Sequence, residues 1–337
     1  MSQLELHKAA VAMVKHRGNF VMTKAMQKIL NTTYDSGGVL DSALKHYAKA
    51  NLPLVKPLFP TLMSLSYEAA TGSTQKNGET DSVALAMLFI AFSADVHDDV
   101  VDCSDVKYGK RTVCGRFGSE VALLVGDVLL AQGYTLLHSA CENLLPKQKQ
   151  EISISLSKAL IELSAAEALD SQLSKKTVIK PDKYLKTMHL KGVFAELQCR
   201  IGGIIGQADD EMLNTLTSFG RAIGMLGTIQ DEFCDMFDAS ELKHRIKFEC
   251  PPLPMIYALQ DEKVKTVLKE LVEQIDQSKT ITNKIAEIVL TSTNVCNLKR
   301  KINKQINSQK HNWTLIEKSR VGHDMFLLLQ AFSSLNY

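Results

Sequence analysis

The chain has almost no surplus charge, no paired-cysteine motif and no apolar run long enough for a membrane. Its 39 lysines and arginines stand against 37 aspartates and glutamates, a formal net charge of +2. A balance that even gives no field to draw nucleic acid, and no nucleic-acid partner is expected. The cysteines at 103, 114, 141, 199, 234, 250 and 296 are odd in number and contain no C-x-x-C. That excludes a disulfide framework and a cysteine zinc site, and fits a reducing cytoplasm. The opening MSQLELHKAAVAMVKHRGNF has an early acid and no sustained apolar core, so no signal peptide is read there. The longest apolar run, 83–94, is too short to span a bilayer, and no transmembrane segment is expected. No alternating β pattern of useful length, repeat period or low-complexity linker is visible.

What is present is helical periodicity. Apolar residues recur at three- and four-residue intervals over 83–103, 117–142, 147–173, 182–205 and about 210–237. Asp209 reads as an N-cap followed by acids in the first turn, and Asp182 after Pro181 as a similar start. Pro251, Pro252 and Pro254 then interrupt the chain, and lysine-rich amphipathic helices resume from 261 to about 333. Trp313 and the basic stretch 297–305 read as a solvated helix. The expectation is one all-α domain over 1–337, with further helices at 1–50 and 261–337.

Two acidic clusters carry the chemistry. HDDVVD places Asp98, Asp99 and Asp102 at the end of an apolar helical segment, and QDEFCD places Asp231, Glu232 and Asp235 at the end of another. On a helix, carboxylates at i and i+4 share one face, about 6 Å apart along the axis. Like charges so spaced destabilise a helix unless something neutralises them. Two such faces turned together make a cage of hard oxygen ligands, which suits Mg²⁺ with a phosphate as a further ligand. Such a cage neutralises a departing diphosphate, with Asp98, Asp102 and Asp231 as the expected catalytic residues. Phe89, Ile90, Ser93 and Ala94, one and two turns before Asp98, are expected to line an apolar pocket wall.

Around the clusters a family resemblance becomes specific. The segment HDDVVDCSDVKYGKRTVCGRFGSEVALLVGDVLLAQG resembles the first aspartate-rich region of the trans-isoprenyl diphosphate synthase (polyprenyl synthetase) family, with Gly126-Asp127 in the following helix. YLKTMHLKGVF resembles the family's Tyr…Lys-Thr helix, and FGRAIGMLGTIQDEFCD its second aspartate-rich helix. The resemblance covers roughly 54–255 and implies a helical bundle around a deep central cavity, usually a homodimer. It also implies Mg²⁺ at the mouth, three ions with substrate bound, and an allylic isoprenyl diphosphate as substrate. Lys107, Lys191, Lys243 and Lys56 are the implied diphosphate-binding residues. Small Ser93 and Ala94 imply a substrate of C15 or longer, because bulky residues there shorten the accepted chain in the family.

The chain departs from the family where the second substrate, isopentenyl diphosphate, binds. LVKPLFP stands on the family's Gly-Gly-Lys-x-x-Arg loop; Lys56 survives, but Leu54 and Val55 replace the glycines and Phe59 the arginine. The histidine position before the first cluster falls near Ala91, and the basic pair after it becomes Lys107-Tyr108. After the second cluster, Lys243, Arg245 and Lys247 stand in for the family's lysines, and Glu232 replaces the usual aspartate. Losing a bidentate arginine is not conservative for a ligand that needs charge-assisted hydrogen bonds. The sequence expectation is therefore a terpene synthase that ionises one allylic diphosphate and releases a hydrocarbon or alcohol. The alternatives are a chain-elongating prenyltransferase and a non-catalytic partner subunit. Asp95, one turn before Asp99, is an addition to the family pattern, read either as a further carboxylate behind the metal or as a surface charge.

Overall fold

The computed structural model describes residues 3–73, 77–176, 178–275 and 279–335. Its α-helices are α1 (Gln3–Asn31), α2 (Val39–His46), α3 (Leu58–Thr71), α4 (Gly78–Val101), α5 (Val113–Phe117), α6 (Ser119–Ala140), α7 (Pro146–Ser174), α8 (Pro181–Lys191), α9 (Val193–Ile205) and α10 (Asp210–Asp235). They continue as α11 (Ala239–Phe248), α12 (Leu253–Ala258), α13 (Glu262–Val272), α14 (Lys279–Thr291), α15 (Thr293–Gln309), α16 (Thr314–Lys318) and α17 (Gly322–Ser333). The strands among the described residues are β1 (Val106–Lys107) and β2 (Lys110–Arg111), an antiparallel hairpin after α4. The all-α expectation is met. Positions 276–278, inside the expected tail helices, lie outside the described residues.

Local signals explain several boundaries. Asn77 caps α4 by accepting from the Glu79 and Thr80 amides, and Asp209 caps α10 through the Met212 amide. Asp182 sits in the first turn of α8 instead; Lys180 is the N-cap and Pro181 opens the helix. The single helix expected over 182–205 is broken at Gly192. A Cβ on Gly192 would lie 2.8 Å from the Met225 amide of α10, and one on Gly224 would lie 2.5 Å from the Gly192 carbonyl oxygen. Glycine on both sides lets the α8–α9 junction press against α10, at the residue after Lys191.

Two apolar clusters hold the bundle. One gathers α10 with the C-terminal helices, through Phe219, Leu226, Phe233, Leu298 and Met325; the other gathers α4 with α6 and α9, through Phe89, Ile90, Val125, Leu129 and Ile201. Trp313 belongs to the first cluster, not to a solvated helix: it is 1% exposed, stands edge-on to Phe219 at 5.4 Å and donates to Ser218 Oγ at 3.1 Å. The expected solvated surface failed there because the indole caps the α10 core.

The α4–α6 contact fixes the orientation of the first acidic cluster. A Cβ on Gly133 would lie 2.6 Å from Ile90 Cγ1, and one on Gly126 would collide with the His97 ring. Ile90 and His97 therefore face α6, and Asp95, Asp99 and Asp102 turn away from it. By length and composition α6 (Ser119–Ala140) is the one described helix apolar enough to cross a membrane, with a mean hydropathy of 1.4 and a third of its window buried. Testing only the contiguous run at 83–94 missed it. Its glycines are seated on α4 residues, as in a bundle helix.

Candidate active site

The two acidic clusters stand at the C-terminal ends of α4 and α10. Asp98 and Asp99 lie in the last turn of α4, and Asp102 is its C-cap residue. Asp231, Glu232 and Asp235 close α10. Between them is a polar cleft of about 140 Å³ whose lining includes Asp98, Asp102, Lys107, Asp170, Lys191, Glu232 and Arg245. From the first cluster Asp98 and Asp102 reach this cleft; from the second only Glu232 does, and Asp231 and Asp235 are not in its lining.

The cleft carries more buried negative charge than its cations neutralise. Burial pushes Asp99 up to about 7, against the pull of Lys107. Burial and the neighbouring Asp98 raise Asp102 to about 7, and burial raises Asp235 to about 7 despite Arg245. Asp231 is exposed at its tip yet surrounded by protein, which raises it to about 6 while Lys56 pulls it down. Asp98 Oδ1 is buried and finds no hydrogen-bond partner among the described residues. Among those residues no three acidic, histidine or cysteine side chains converge on a common point. The carboxylates therefore surround the opening rather than enclose an ion, which leaves room for phosphate oxygens and waters as the remaining ligands.

Glu232 stands apart from its neighbours. It is 6% exposed, and its oxygens accept from the Tyr184 hydroxyl at 3.1 and 3.2 Å, from Arg245 Nη2 at 2.9 Å and from the Leu253 amide at 2.6 Å. Arg245, at the end of α11, also donates to Asp235 Oδ2 at 2.6 Å and to the Cys250 carbonyl at 3.0 Å. It lies 3.0 Å from Glu249. A buried arginine thus neutralises two members of the second cluster from behind. Sequence had named Arg245 only as a substitute cation for diphosphate.

Of the four expected basic residues, Lys107 and Lys191 line the cleft, whereas Lys56 and Lys243 are not in its lining. Lys191 Nζ pairs with Glu167 at 2.8 Å and Asp170 at 2.7 Å, both on α7. Burial works against its ammonium, but the two carboxylates outweigh it and hold its pKa above the ordinary lysine value. Lys107 Nζ lies 2.8 Å from Asp95 and 3.3 Å from Asp99. Lys56 is exposed on the loop before α3, and Lys243 is half-buried on α11. Phe59, which stands where the family has an arginine, packs its ring 5.6 Å from Phe194. Sequence reading missed Glu167, Asp170 and Tyr47; the i, i+3 acids of EALD on α7 were the available signal.

The expected pocket wall divides between two faces of α4. Ala94 shares the helical face of Asp98, Ile90 packs on Gly133 of α6, and Phe89 and Ser93 point toward the opposite side; none of the four lines the polar cleft. Phe89 and Ile90 are wholly buried, Ser93 is 2% exposed and Ala94 is half-buried. His97 contacts the Leu123 carbonyl at 3.3 Å and Asp127 at 3.5 Å, so it belongs to the α4–α6 packing and not to the cleft.

A family model described as polyprenyl synthetase matches residues 40–289. A geranylgeranyl diphosphate synthase of Methanosarcina mazei is 28% identical over 193 residues, covering 57% of this chain and 58% of that protein. The chain thus spans a little under two thirds of the length of the curated relatives matched first. The solved geranylgeranyl pyrophosphate synthetase of Pyrococcus horikoshii superposes with a TM-score of 0.80 at 23% identity, over 97% of this chain and 98% of that one. A polyprenyl synthase of Caulobacter crescentus, complexed with calcium and isoprenyl diphosphate, superposes at 0.78 with 17% identity, over 96% and 97%. These structures share the fold.

The relatives correct the expected reaction. They are named as synthases of geranylgeranyl, heptaprenyl and decaprenyl diphosphates, which are chain-elongating enzymes. The terpene synthase expectation rested on the altered basic positions at Leu54, Val55, Phe59, Ala91 and Tyr108 and after the second cluster, and these substitutions do not outweigh that agreement. By its sequence from 40 to 289, this chain belongs to the polyprenyl synthetase family.

Proposed function

We propose that the protein is a chain-elongating trans-prenyltransferase. It joins C1 of an allylic isoprenyl diphosphate to C4 of isopentenyl diphosphate, releasing inorganic diphosphate and the proton from C2. The observation that carries this reading is a carboxylate-rich cleft lined by Asp98 and Asp102 of the first cluster and Glu232 of the second, in a chain whose relatives are named as prenyl diphosphate synthases. The donor set fits Mg²⁺, because hard carboxylate oxygens in charge excess surround the cleft and one of them, Asp98 Oδ1, is buried without a partner. Asp98, Asp102 and Asp231 would hold the ions, with Asp99 and Asp235 close by. Bound there, Mg²⁺ supplies the positive charge that neutralises the departing diphosphate. Glu232, whose oxygens are engaged by Tyr184, Arg245 and Leu253, instead braces the end of α10.

In this reading Lys243 flanks the allylic diphosphate and Lys56, near Asp231, faces the second diphosphate, while Lys191 stays paired with Glu167 and Asp170. The half-buried Ala94, on the face of Asp98, leaves space for a chain of C15 or longer. A second copy of the chain would cover the outward face of α6, where Leu123, Leu124 and Tyr134 are about half exposed. Purified protein should be incubated with Mg²⁺ and C10, C15 or C20 allylic diphosphates, with and without isopentenyl diphosphate. The expected products are longer prenyl diphosphates, formed only when both substrates are present. Diphosphate release with a hydrocarbon or alcohol product in the absence of isopentenyl diphosphate would refute the reading.

A further inference from the structure

Asp95 has no part in the reaction as described, yet both of its carboxylate oxygens are hydrogen-bonded. It lies one turn before Asp99 on α4, on the same helical face. Its Oδ1 accepts from Lys107 Nζ at 2.8 Å and its Oδ2 from the Tyr47 hydroxyl at 3.1 Å. The same Nζ donates to Asp99 Oδ1 at 3.3 Å. Tyr47 is 1% exposed and stands edge-on to Phe92 at 5.8 Å, so the acceptor side of the network is fixed by the core. The donor side is fixed by the hairpin. Tyr108 and Gly109, at φ +53° and +71°, turn β1 back on β2 and return Lys107 to α4.

An ammonium has three donors, and here the protein's own carboxylates engage it from two sides. Its charge is matched by Asp95 and Asp99 before any ligand arrives. A diphosphate would have to displace one of those charge-assisted bonds to gain another of the same kind, so little net affinity results. We propose that Asp95 is a positioning residue that holds Lys107 on the protein's carboxylates, so that diphosphate is captured through divalent metal and not through this lysine. The inference takes diphosphate as the ligand from the functional reading above. It explains why a lysine in the family's basic position coexists with an added carboxylate one turn below the cluster.

The test is calorimetric titration of inorganic diphosphate into the full chain, with and without Mg²⁺. The proteins are the wild type, Asp95→Leu, Asp95→Asn, Lys107→Met and Asp95→Leu/Lys107→Met. Asp95→Asn keeps an acceptor for Tyr47 and guards against a folding defect. With Mg²⁺, Lys107→Met alone should change affinity less than about twofold, whereas either Asp95 variant should tighten binding about tenfold. The double variant should lose that gain. Without Mg²⁺, binding should be detectable only in the Asp95 variants. Equal affinities across the series, or a gain that survives Lys107→Met, overturn the proposal while leaving the functional reading intact. Failure of the wild type to bind diphosphate with Mg²⁺ overturns both.

Discussion

Replacing Arg245 by methionine should destabilise the protein by about 3–5 kcal/mol, the range for breaking a buried ion pair on one side. The guanidinium is 7% exposed and lies 2.6 Å from Asp235, 2.9 Å from Glu232 and 3.0 Å from Glu249. At 2.9 Å and an effective dielectric of 20, one such pair is worth about 6 kcal/mol of gross attraction, most of it offset by desolvation. The larger loss comes from what methionine leaves behind. Glu232 keeps the Tyr184 hydroxyl and the Leu253 amide, but its charge and that of Asp235 lose their cation. Arg245→Lys should lose less, about 1–2 kcal/mol, because it keeps the charge without the planar fork. Urea unfolding at pH 7.5, followed by circular dichroism, gives each value. Combining Arg245→Met with Glu232→Gln should recover about 1–3 kcal/mol as coupling energy. A loss below 1 kcal/mol in the single variant, or no recovery in the double, refutes the assignment of Arg245 as the hub that ties α11 to α10.

Three further outcomes follow from the same geometry. Asp98→Ala and Asp231→Ala should each lower turnover by about 100-fold or more while leaving circular dichroism unchanged, since in the proposed reading each carboxylate holds an ion; near-normal rates would dismiss the cluster as the reaction centre. Asp99, Asp102 and Asp235 are raised to about 7 and Glu249 to about 8 in the fold. Raised carboxylates make the native state bind more protons, so their stability is full below about pH 4 and is lost as pH rises through 7 to 8. The metal-free melting midpoint should therefore fall between pH 5 and 8.5, and Mg²⁺ with diphosphate should flatten the slope; a midpoint rising over that range contradicts it. Gly133→Ala places a Cβ 2.6 Å from Ile90 Cγ1 and should cost about 1–3 kcal/mol by overpacking, read by urea unfolding.

Much of the site is local in sequence and so legible there. The i and i+4 carboxylates of HDDVVD and QDEFCD share helix faces by spacing alone, and the apolar periodicity before each places those faces at helix ends. The all-α class follows from the same periodicity. The partners of the cations were not legible, because pairing across helices depends on packing. Lys191 meets Glu167 and Asp170 from α7, and Arg245 reaches back to Glu232 and Asp235. Substitutions at Phe59 and Tyr108 suggested a changed reaction, but substitution patterns report which contacts are lost and not what chemistry remains.

The sequence by itself determined two acidic helix ends, a helical chain around them and membership of a diphosphate-handling family. Each depends on residues within a few turns of one another, where geometry follows from the helix repeat. Only the tertiary structure decided which carboxylates stand free and which are neutralised. Glu232 and Asp231 are adjacent in sequence, yet one is clasped by Arg245, Tyr184 and Leu253 while the other is exposed. The difference arises because successive helical residues point about 100° apart, so one faces the core and its neighbour the solvent.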